Sequence, residues 1–429
     1  MSPEIAWSDY LDRLRRDSEE LTTQRSLADN AHNRADQDQS AARPASINLE
    51  DTSPNKPTLV EDTAINQGAD SVLPIYIGET ACTAFAARVC QCLNGAASPT
   101  HPLQWNYVDE AELALLLNAD VPWPSLAQAR LWVQTALAHT NPAFHVALRK
   151  DTLLLLTEVY QRRRFDNATT KSKYFALFAL GQLYASHLDP SQPHVPGSAY
   201  FAQALRLVHI PPERPSLMYL EAILSVALFY QHLNRFHSAY LLVGNALRLG
   251  LSFRLNYPSA NEGLSDVDRE HRVRLWWSIY AMDRFWGLRS GLPVQVSDGD
   301  VHVGIPRDPK GDEEREQFCD PAHQIAGIGL ARLAGNISQD LYGLRKSDES
   351  FMQQEQKLLT RSKQWVEGLP NHLKLQQSGT NSKNVIVMHL QFNYPGVASY
   401  AIYENRVQMQ CNLCIPIPVG DLGGMCSRR

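Results

Sequence analysis

The chain has 429 residues, a hydrophobic fraction of 44% and a formal net charge of −5 at pH 7. Its length allows one large domain or about two to three ordinary ones, and its apolar content suffices for a sizeable core. Because proteins that grip DNA over a broad surface are usually basic, the acidic balance argues against that class. Any contact with nucleic acid would need a local basic patch.

The cysteine content is low and odd, with seven residues in the chain. This argues against a disulfide-rich secreted scaffold and fits a reducing compartment. The N-terminus lacks the apolar region of a secretory signal, and no run of about 18 apolar residues predicts a membrane span. Glu221 and Ser225 interrupt the most apolar stretch, LMYLEAILSVALFY. We therefore expect a soluble intracellular protein with no membrane partner.

The N-terminal part of the chain divides into two segments. In residues 1–28, Leu11, Leu14 and Leu21 are spaced by three and seven positions, which is typical of a short coiled-coil seam. Two interrupted heptads are too few to hold alone, so a frayed charged helix is the competing interpretation. Residues 29–73 are polar with almost nothing to bury, which predicts a disordered linker.

From residue 74 to 394 the pattern is helical. Segments of ten to twenty residues carry apolar positions at helical spacing, and Pro, Asn, Gly or Asp-Pro separates them. Alternating strand patterns are nearly absent. This predicts an all-α fold, one large multi-helix domain preceded by the disordered N-terminal segment. Residues 395–429 lose the helical period and contain two Ile-Pro pairs, so we expect an atypical, irregular tail.

A search for catalytic and cofactor motifs gives no candidate. The chain has no phosphate-binding G-x-x-x-x-G-K-[ST], no dinucleotide fingerprint, no G-x-S-x-G nucleophile elbow and no H-E-x-x-H zinc helix. We therefore predict no catalytic residue, no cofactor-binding residue and no enzyme activity.

Three groups of residues have some potential as metal ligands. Cys411, Cys414 and Cys426 offer three thiols but no clear fourth ligand at zinc spacing. Cys82, Cys90 and Cys92 are better explained as small buried side chains. Asp298, Asp300 and His302 belong to an acidic loop of the kind that is usually solvated, and we predict no metal site in any of the three groups.

The stretch RLWWSIYAMDRFWGLRSGLP, residues 274–293, is the most distinctive in the chain. Placed on a helix it is apolar nearly all round, which predicts burial on most sides. The central stripe and its flanks are Leu275, Ile279, Met282 and Trp286, with Trp276 and Tyr280 on one side and Trp277, Ala281 and Phe285 on the other. Ser265, three residues before Asp268, predicts the helix start, and Gly287 with Gly291 predicts its end.

Asp283 lies inside this apolar run and should be at least partly buried, so it needs a partner. Arg284 projects about 100° away and is a poor one. Arg289, Arg272 or a backbone N–H of the following loop are the better candidates. No second carboxylate or histidine lies at helical spacing, so an internal polar tie is favoured over a catalytic acid. If Asp283 is a buried, paired charge, Asp283→Ala should cost about 3–5 kcal/mol.

With these residues in view, the stretch resembles the signature of the fungal-specific transcription factor domain, the regulatory "middle homology" region of zinc-cluster transcription factors. The family form is R-x-x-W-W-x-x-[YF]-x-x-D-R, then [GS]-x-P and an acidic loop that ends in a proline. The arginine here lies one position closer to the tryptophans. The matching residues are Arg274, Trp276, Trp277, Tyr280, Asp283, Arg284, Gly291, Pro293, Asp298, Asp300 and Pro306. Looser similarities extend the resemblance over residues 74–394.

The resemblance implies a nuclear regulatory domain that responds to transcriptional regulators or to a small-molecule effector. The N-terminal helix would then resemble the family's dimerisation helix and could support a homodimer. The family's cysteine array, which holds two zinc ions and reads DNA, has no counterpart in this sequence. We therefore expect no zinc in this chain, and DNA binding only if the full gene supplies that module. An α-helical interaction scaffold without a transcriptional role, or less favourably a helical enzyme, stays open.

Overall fold

The computed structural model describes residues 110–186, 195–208, 212–258, 263–340, 351–376 and 381–393. Within these ranges the chain forms twelve α-helices, two short 3-10 helices and no strand, which confirms the all-α prediction. The segments predicted for residues 1–28, 29–73 and 395–429 lie outside the described residues, as do all the cysteines except Cys319. The outer limits proposed for the domain, 74 and 394, stay a prediction.

The α-helices are described in chain order. They are α1 (Glu110–Asn118), α2 (Leu126–Thr140), α3 (Arg149–Gln161), α4 (Ala168–Ala185), α5 (Ser198–Val208), α6 (Leu217–His232), α7 (Phe236–Ser252), α8 (Asp266–Ser290), α9 (Asp312–Gln317), α10 (Ala322–Asp340), α11 (Phe351–Gly368) and α12 (Lys383–Asn393). The 3-10 helices are Asp298–Asp300 and Asn371–Leu373.

Several helices begin at a polar side chain that accepts a hydrogen bond from a first-turn N–H, which satisfies one of the donors left free at a helix start. The capping residues are Ser125 for α2, Asn167 for α4, Ser216 for α6 and Ser265 for α8. The Ser265 oxygen lies 3.0 Å from the Asp268 nitrogen, which confirms the predicted start of α8.

Helix α8 ends at Gly291, whose φ of 69° lies in the left-handed region that glycine adopts without strain. The Gly291 N–H donates to the Leu288 carbonyl, and the Leu292 N–H donates to the Gly287 carbonyl. The predicted end at Gly291 is therefore confirmed. Gly287 does not end the helix, because it lies inside the last turn and its carbonyl closes the terminal motif.

The core is built around two helices that are buried on nearly every side, α4 and α6. Helix α4 packs against α2, α5 and α6, and α6 packs against α5 and α7. Helix α8 extends this core, with α7 and α10 as its neighbours. One large apolar cluster includes residues from all the helices from α1 through α8. Two smaller clusters hold α10, α11 and α12 together. Helix α8 therefore lies where the main core meets the C-terminal helices.

Among the helices of the described ranges, none combines the length and the apolar character that a membrane span requires.

Candidate functional site

Helix α8 is buried along most of its length. The predicted stripe of Leu275, Ile279, Met282 and Trp286 is buried, and so are the two tryptophans beside it. The prediction of a core helix is therefore confirmed. The signature residues on this helix can act only on what packs against it, and their partners define the site.

Arg274 is 1% exposed and uses all three guanidinium nitrogens. Its Nε donates to Glu270 Oε1 at 2.6 Å, one turn earlier on the same helix. Its two Nη atoms donate to the backbone carbonyls of Arg307 and Cys319, each at 2.8 Å. The ring of Phe318 lies 4.8 Å from the guanidinium carbon. Arg274 therefore fixes two distant points of the chain that follows the helix.

Two more signature residues bind the same stretch of chain, residues 292–319, which we call the connecting segment. Trp277 Nε1 donates to the Gly304 carbonyl at 2.7 Å. Arg284 Nη2 donates to the Val296 carbonyl at 2.9 Å. Arg274, Trp277 and Arg284 are separated by three and seven positions, so they lie along one face of the helix. This face binds main-chain oxygens along the whole connecting segment.

The acidic loop predicted from the sequence completes this arrangement. Asp298 Oδ1 accepts a hydrogen bond from the Tyr280 hydroxyl at 2.5 Å and from Arg284 Nη2 at 2.6 Å. The Arg284 guanidinium also lies 4.0 Å from the centre of the Tyr280 ring. Burial raises the pKa of Tyr280, so its hydroxyl stays a donor. Asp298 is thus the partner of a buried arginine.

The other members of that loop point to different neighbours. The Asp300 carbonyl accepts from the Asn256 amide at 2.9 Å, and the His302 ring packs 4.8 Å from the Tyr257 ring. The part of the chain that the structure describes contains no group of three His, Cys, Asp or Glu side chains that could hold a metal ion. The single cysteine of this part of the chain is Cys319.

The remaining signature residues have simpler positions. Gly291 terminates α8, Pro293 follows it on the surface and Pro306 is buried in the connecting segment. Trp276 is fully buried, and among the described residues its indole nitrogen has no hydrogen-bond partner.

Asp283 is 3% exposed and weakly held. Its Oδ2 accepts from the Gln295 N–H at 3.4 Å, so the backbone donor was the correct alternative. Arg289 instead lies over the Phe236 ring, and Arg272 donates to the Phe253 carbonyl. Within the described ranges Asp283 Oδ1 has no hydrogen-bond partner. Burial raises the pKa of Asp283 to about 6, despite the Gln295 N–H and nearby arginines, which lower it.

A second polar group in the core was missed by the sequence analysis. Lys173 of α4 lies 2.8 Å from Glu221 Oε2, and His271 Nε2 of α8 lies 3.2 Å from Glu221 Oε1. His145, before α3, joins its Nε2 to His271 Nδ1 at 2.9 Å. All four side chains are buried. The available signal was Glu221 within an otherwise apolar helical run and Lys173 at the start of another.

The charges of this group follow from its contacts. Burial acts to raise the pKa of Glu221, but Lys173 and His271 outweigh it and lower the pKa, so Glu221 is ionised. Burial and the neighbouring His271 hold the pKa of His145 well below its usual value, so that ring is neutral. A carboxylate surrounded by a lysine and an imidazole is compensated, as a buried charge must be. The group ties α4, α6 and α8 together.

The far end of the connecting segment is bound by charged pairs. Arg307 donates to both carboxylate oxygens of Glu314, at 2.8 and 2.6 Å, and its N–H donates to Glu270. The hydrogen bond from Arg307 lowers the pKa of Glu314 to about 2. Gln317 accepts from the first N–H groups of α3, at Lys150 and Asp151. The charged sequence 307–317 therefore covers the start of α3.

Comparison with known families identifies this architecture. The profile of the fungal specific transcription factor domain matches residues 147–376, more than half of the chain. The chain belongs to this family. The matched range contains α8 and the entire connecting segment, which confirms the resemblance seen in the sequence. It is a family of transcription factors and not of enzymes.

The relatives of this domain include transcriptional regulators from yeasts and moulds. A transcriptional regulatory protein of Schizosaccharomyces pombe is 27% identical over 238 residues, 53% of this chain and 29% of the relative. Activator of stress genes 1 of Saccharomyces cerevisiae is 27% identical over 280 residues, which are 58% of this chain and 28% of the relative. An ABC-transporter-regulating transcription factor of Aspergillus oryzae is 23% identical over 49% of this chain and 25% of the relative.

The matches thus span less than a third of the length of these relatives. No solved structure matches this chain.

Proposed function

We propose that this chain is the regulatory part of a nuclear fungal transcription factor. It would control transcription by binding a transcriptional regulator or a small-molecule effector. The observation that carries this proposal is the family match over residues 147–376. Within that range the signature residues Arg274, Trp277 and Arg284 hold the connecting segment against α8. The family's transcriptional regulators support it.

The signature residues are unsuited to reading DNA. Sequence-specific recognition needs side chains presented to a groove, and phosphate contacts need accessible cations. Arg274 and Arg284 are 1% and 3% exposed, and both are hydrogen-bonded inside the domain. We therefore propose that the signature helix supports regulation and that DNA reading belongs to a separate module, such as the family's zinc cluster.

A reporter assay tests the proposed function. The full chain is fused to a heterologous DNA-binding domain in a fungal host, and the transcription of a reporter gene is compared with that of the DNA-binding domain alone. We expect a change in reporter output and nuclear accumulation of a fluorescent fusion. The Arg269→Lys fusion, altered at a half-exposed side chain of α8, should give the same output as the wild-type fusion. Unchanged output from a folded, expressed fusion would favour the interaction scaffold.

Purified full-length chain tests the DNA and zinc expectations directly. We expect no nanomolar, sequence-selective binding to DNA pools in a gel shift at physiological salt, and no stoichiometric zinc by elemental analysis. Selective binding or bound zinc would overturn this part of the proposal.

The predicted helix in residues 1–28 is our proposed site of homodimer formation. Light scattering should give a larger mass for the chain than for its Leu14→Asp variant. The same mass for both would exclude that site.

A further inference from the structure

Residues 292–298, which we call the strap, leave the end of α8 and fold back along it. Two contacts show the reversal: Arg284 donates to the Val296 carbonyl, and Asp298 pairs with the same guanidinium. Asp298 is 48% exposed, so this pair lies at the edge of the strap. The strap is held to α8 mainly at this end.

Asp283 lies beneath the middle of the strap. Asp283 is 3% exposed, and the one hydrogen bond of its carboxylate with the described residues is the 3.4 Å contact with the Gln295 N–H of the strap. The Gln295 side chain continues over the site and donates to the Tyr240 hydroxyl of α7 at 3.0 Å. The strap and α7 therefore close over a carboxyl group that has little to compensate a charge.

The charged and titratable neighbours of Asp283 come from two helices. On its own helix Arg284 is adjacent, but it turns toward Val296 and Asp298. From α7, Tyr240 and Arg248 face the carboxyl group, the arginine favouring its ionised form. The strap itself contributes the Gln295 N–H. None of these forms an ion pair with Asp283 among the described residues.

We propose that the ionisation of Asp283 controls how tightly the strap closes on α8. The strap is closed over the neutral carboxylic acid. When the carboxylate forms, opening of the strap allows water to reach it.

The sign of the effect follows from the two states of the strap. Beneath the closed strap the pKa of Asp283 is raised from 3.8 to about 6. The closed strap therefore binds the proton more tightly than the open one. The resulting stabilisation of the closed strap is fully present below about pH 4 and is lost as the pH rises through about 6. Acidification through this range tightens the strap.

Hydrogen exchange monitored by mass spectrometry measures this opening. The peptide that contains the strap is followed in the full-length wild type and in Asp283→Asn, which keeps the shape but cannot ionise. Because the peptide excludes residue 283, its intrinsic exchange rate is the same in both proteins at each pH. We expect the ratio of wild-type to variant exchange to fall about tenfold between pH 7 and pH 5, as the two pKa values require.

Two controls separate the strap from the rest of the molecule. Asp298→Asn weakens the contact with Arg284, so its strap should exchange faster at every pH while its pH dependence remains. A peptide from α6 should show no change in the ratio. A pH-independent strap ratio, a parallel change in α6, or faster exchange in Asp283→Asn than in wild type would each overturn the proposal. The last result would make the carboxylate a structural tie.

This inference is independent of the proposed function. Unchanged reporter output would not affect the interpretation of the strap experiment. A strap exchange ratio that does not change with pH would not affect the interpretation of the reporter assay.

Discussion

Arg274 joins three separate groups through one buried guanidinium, and no other side chain can replace it. Lysine has a single ammonium and lacks the planar fork that reaches Glu270 and two carbonyls together. We expect Arg274→Lys to lower the free energy of unfolding by about 3 kcal/mol, because one ammonium cannot reach Glu270 and both carbonyls and leaves buried acceptors without this donor. Urea denaturation measures this loss.

Arg269 provides the matched control on the same helix. It pairs with Asp266 at 3.0 Å, and both side chains are about half exposed. Since exposed pairs contribute little, Arg269→Lys should change the stability by less than about 0.5 kcal/mol. If the two variants lost similar amounts of unfolding free energy, the buried contacts of Arg274 would contribute no more to stability than an exposed ion pair does.

The residues of α8 show what a sequence can and cannot predict. Apolar periodicity predicts the burial of Leu275 and Ile279, and a capping motif predicts the start at Ser265. The partners of Arg274 are backbone carbonyls, which every residue has, so no pattern marks them in advance. Similarly, Asp283 proves to be buried but not paired. The expected cost of 3–5 kcal/mol for Asp283→Ala assumed an ion pair, and a smaller cost follows.

At the scale of elements, α4 crosses α2 at close range at Gly181. A Cβ added there would lie 2.3 Å from the Trp132 carbonyl oxygen, which belongs to the α2 backbone and cannot rotate away. We expect Gly181→Ala to destabilise the domain by about 3 kcal/mol, at the upper end for overpacking. Thermal and urea unfolding measure the change.

Gly327 of α10 tests the same substitution where there is room. A Cβ added there meets nothing within 4 Å. Because alanine favours a helix over glycine, Gly327→Ala should raise the stability by up to about 1 kcal/mol. If both alanines stabilised the chain, the tight crossing of α2 and α4 would be wrong.

The connecting segment should respond to acid at its far end. Arg307 lowers the pKa of Glu314 from 4.5 to about 2, so this pair stabilises the fold above about pH 4.5 and the contribution is lost as the pH falls toward 2. Glu314→Gln should cost about 2 kcal/mol at pH 7, discounted for the partial exposure of Arg307.

The difference between Glu314→Gln and wild type should shrink below pH 4.5. Glu316→Gln, at an exposed pair with Lys150, is the control and should change little. A difference that stays constant down to pH 3 would mean that Glu314 acts through its shape alone.

At the scale of the whole molecule, the apolar core is unevenly distributed. The large cluster includes the centres of α4 and α6, whereas small clusters of five or six buried residues hold α11 and α12. Since local stability follows the burial of apolar contacts, we expect native-state hydrogen exchange to be slowest in α4 and α6 and faster in α11 and α12. Uniform protection would contradict this gradient.

The long-range organisation was the least predictable part. The helical class and most segments follow from periodicity, but His145 and His271 are 126 positions apart and meet only after folding. The sequence shows Glu221 within an apolar run and Lys173 at the start of another, but it does not reveal that the two side chains meet. The charged stretch 307–317 similarly reads as a break between helices, while in the fold it covers the start of α3.

The attachment of the connecting segment to α8 has a consequence for how this domain diversifies. Trp277 and Arg274 recognise the oxygens of Gly304, Arg307 and Cys319, and a main-chain oxygen is present whatever side chain that position carries. Substitutions along the segment that keep its path leave these attachments intact. At these positions the attachment to α8 therefore depends on the path of the main chain, whereas at Asp298 it depends on the side chain itself.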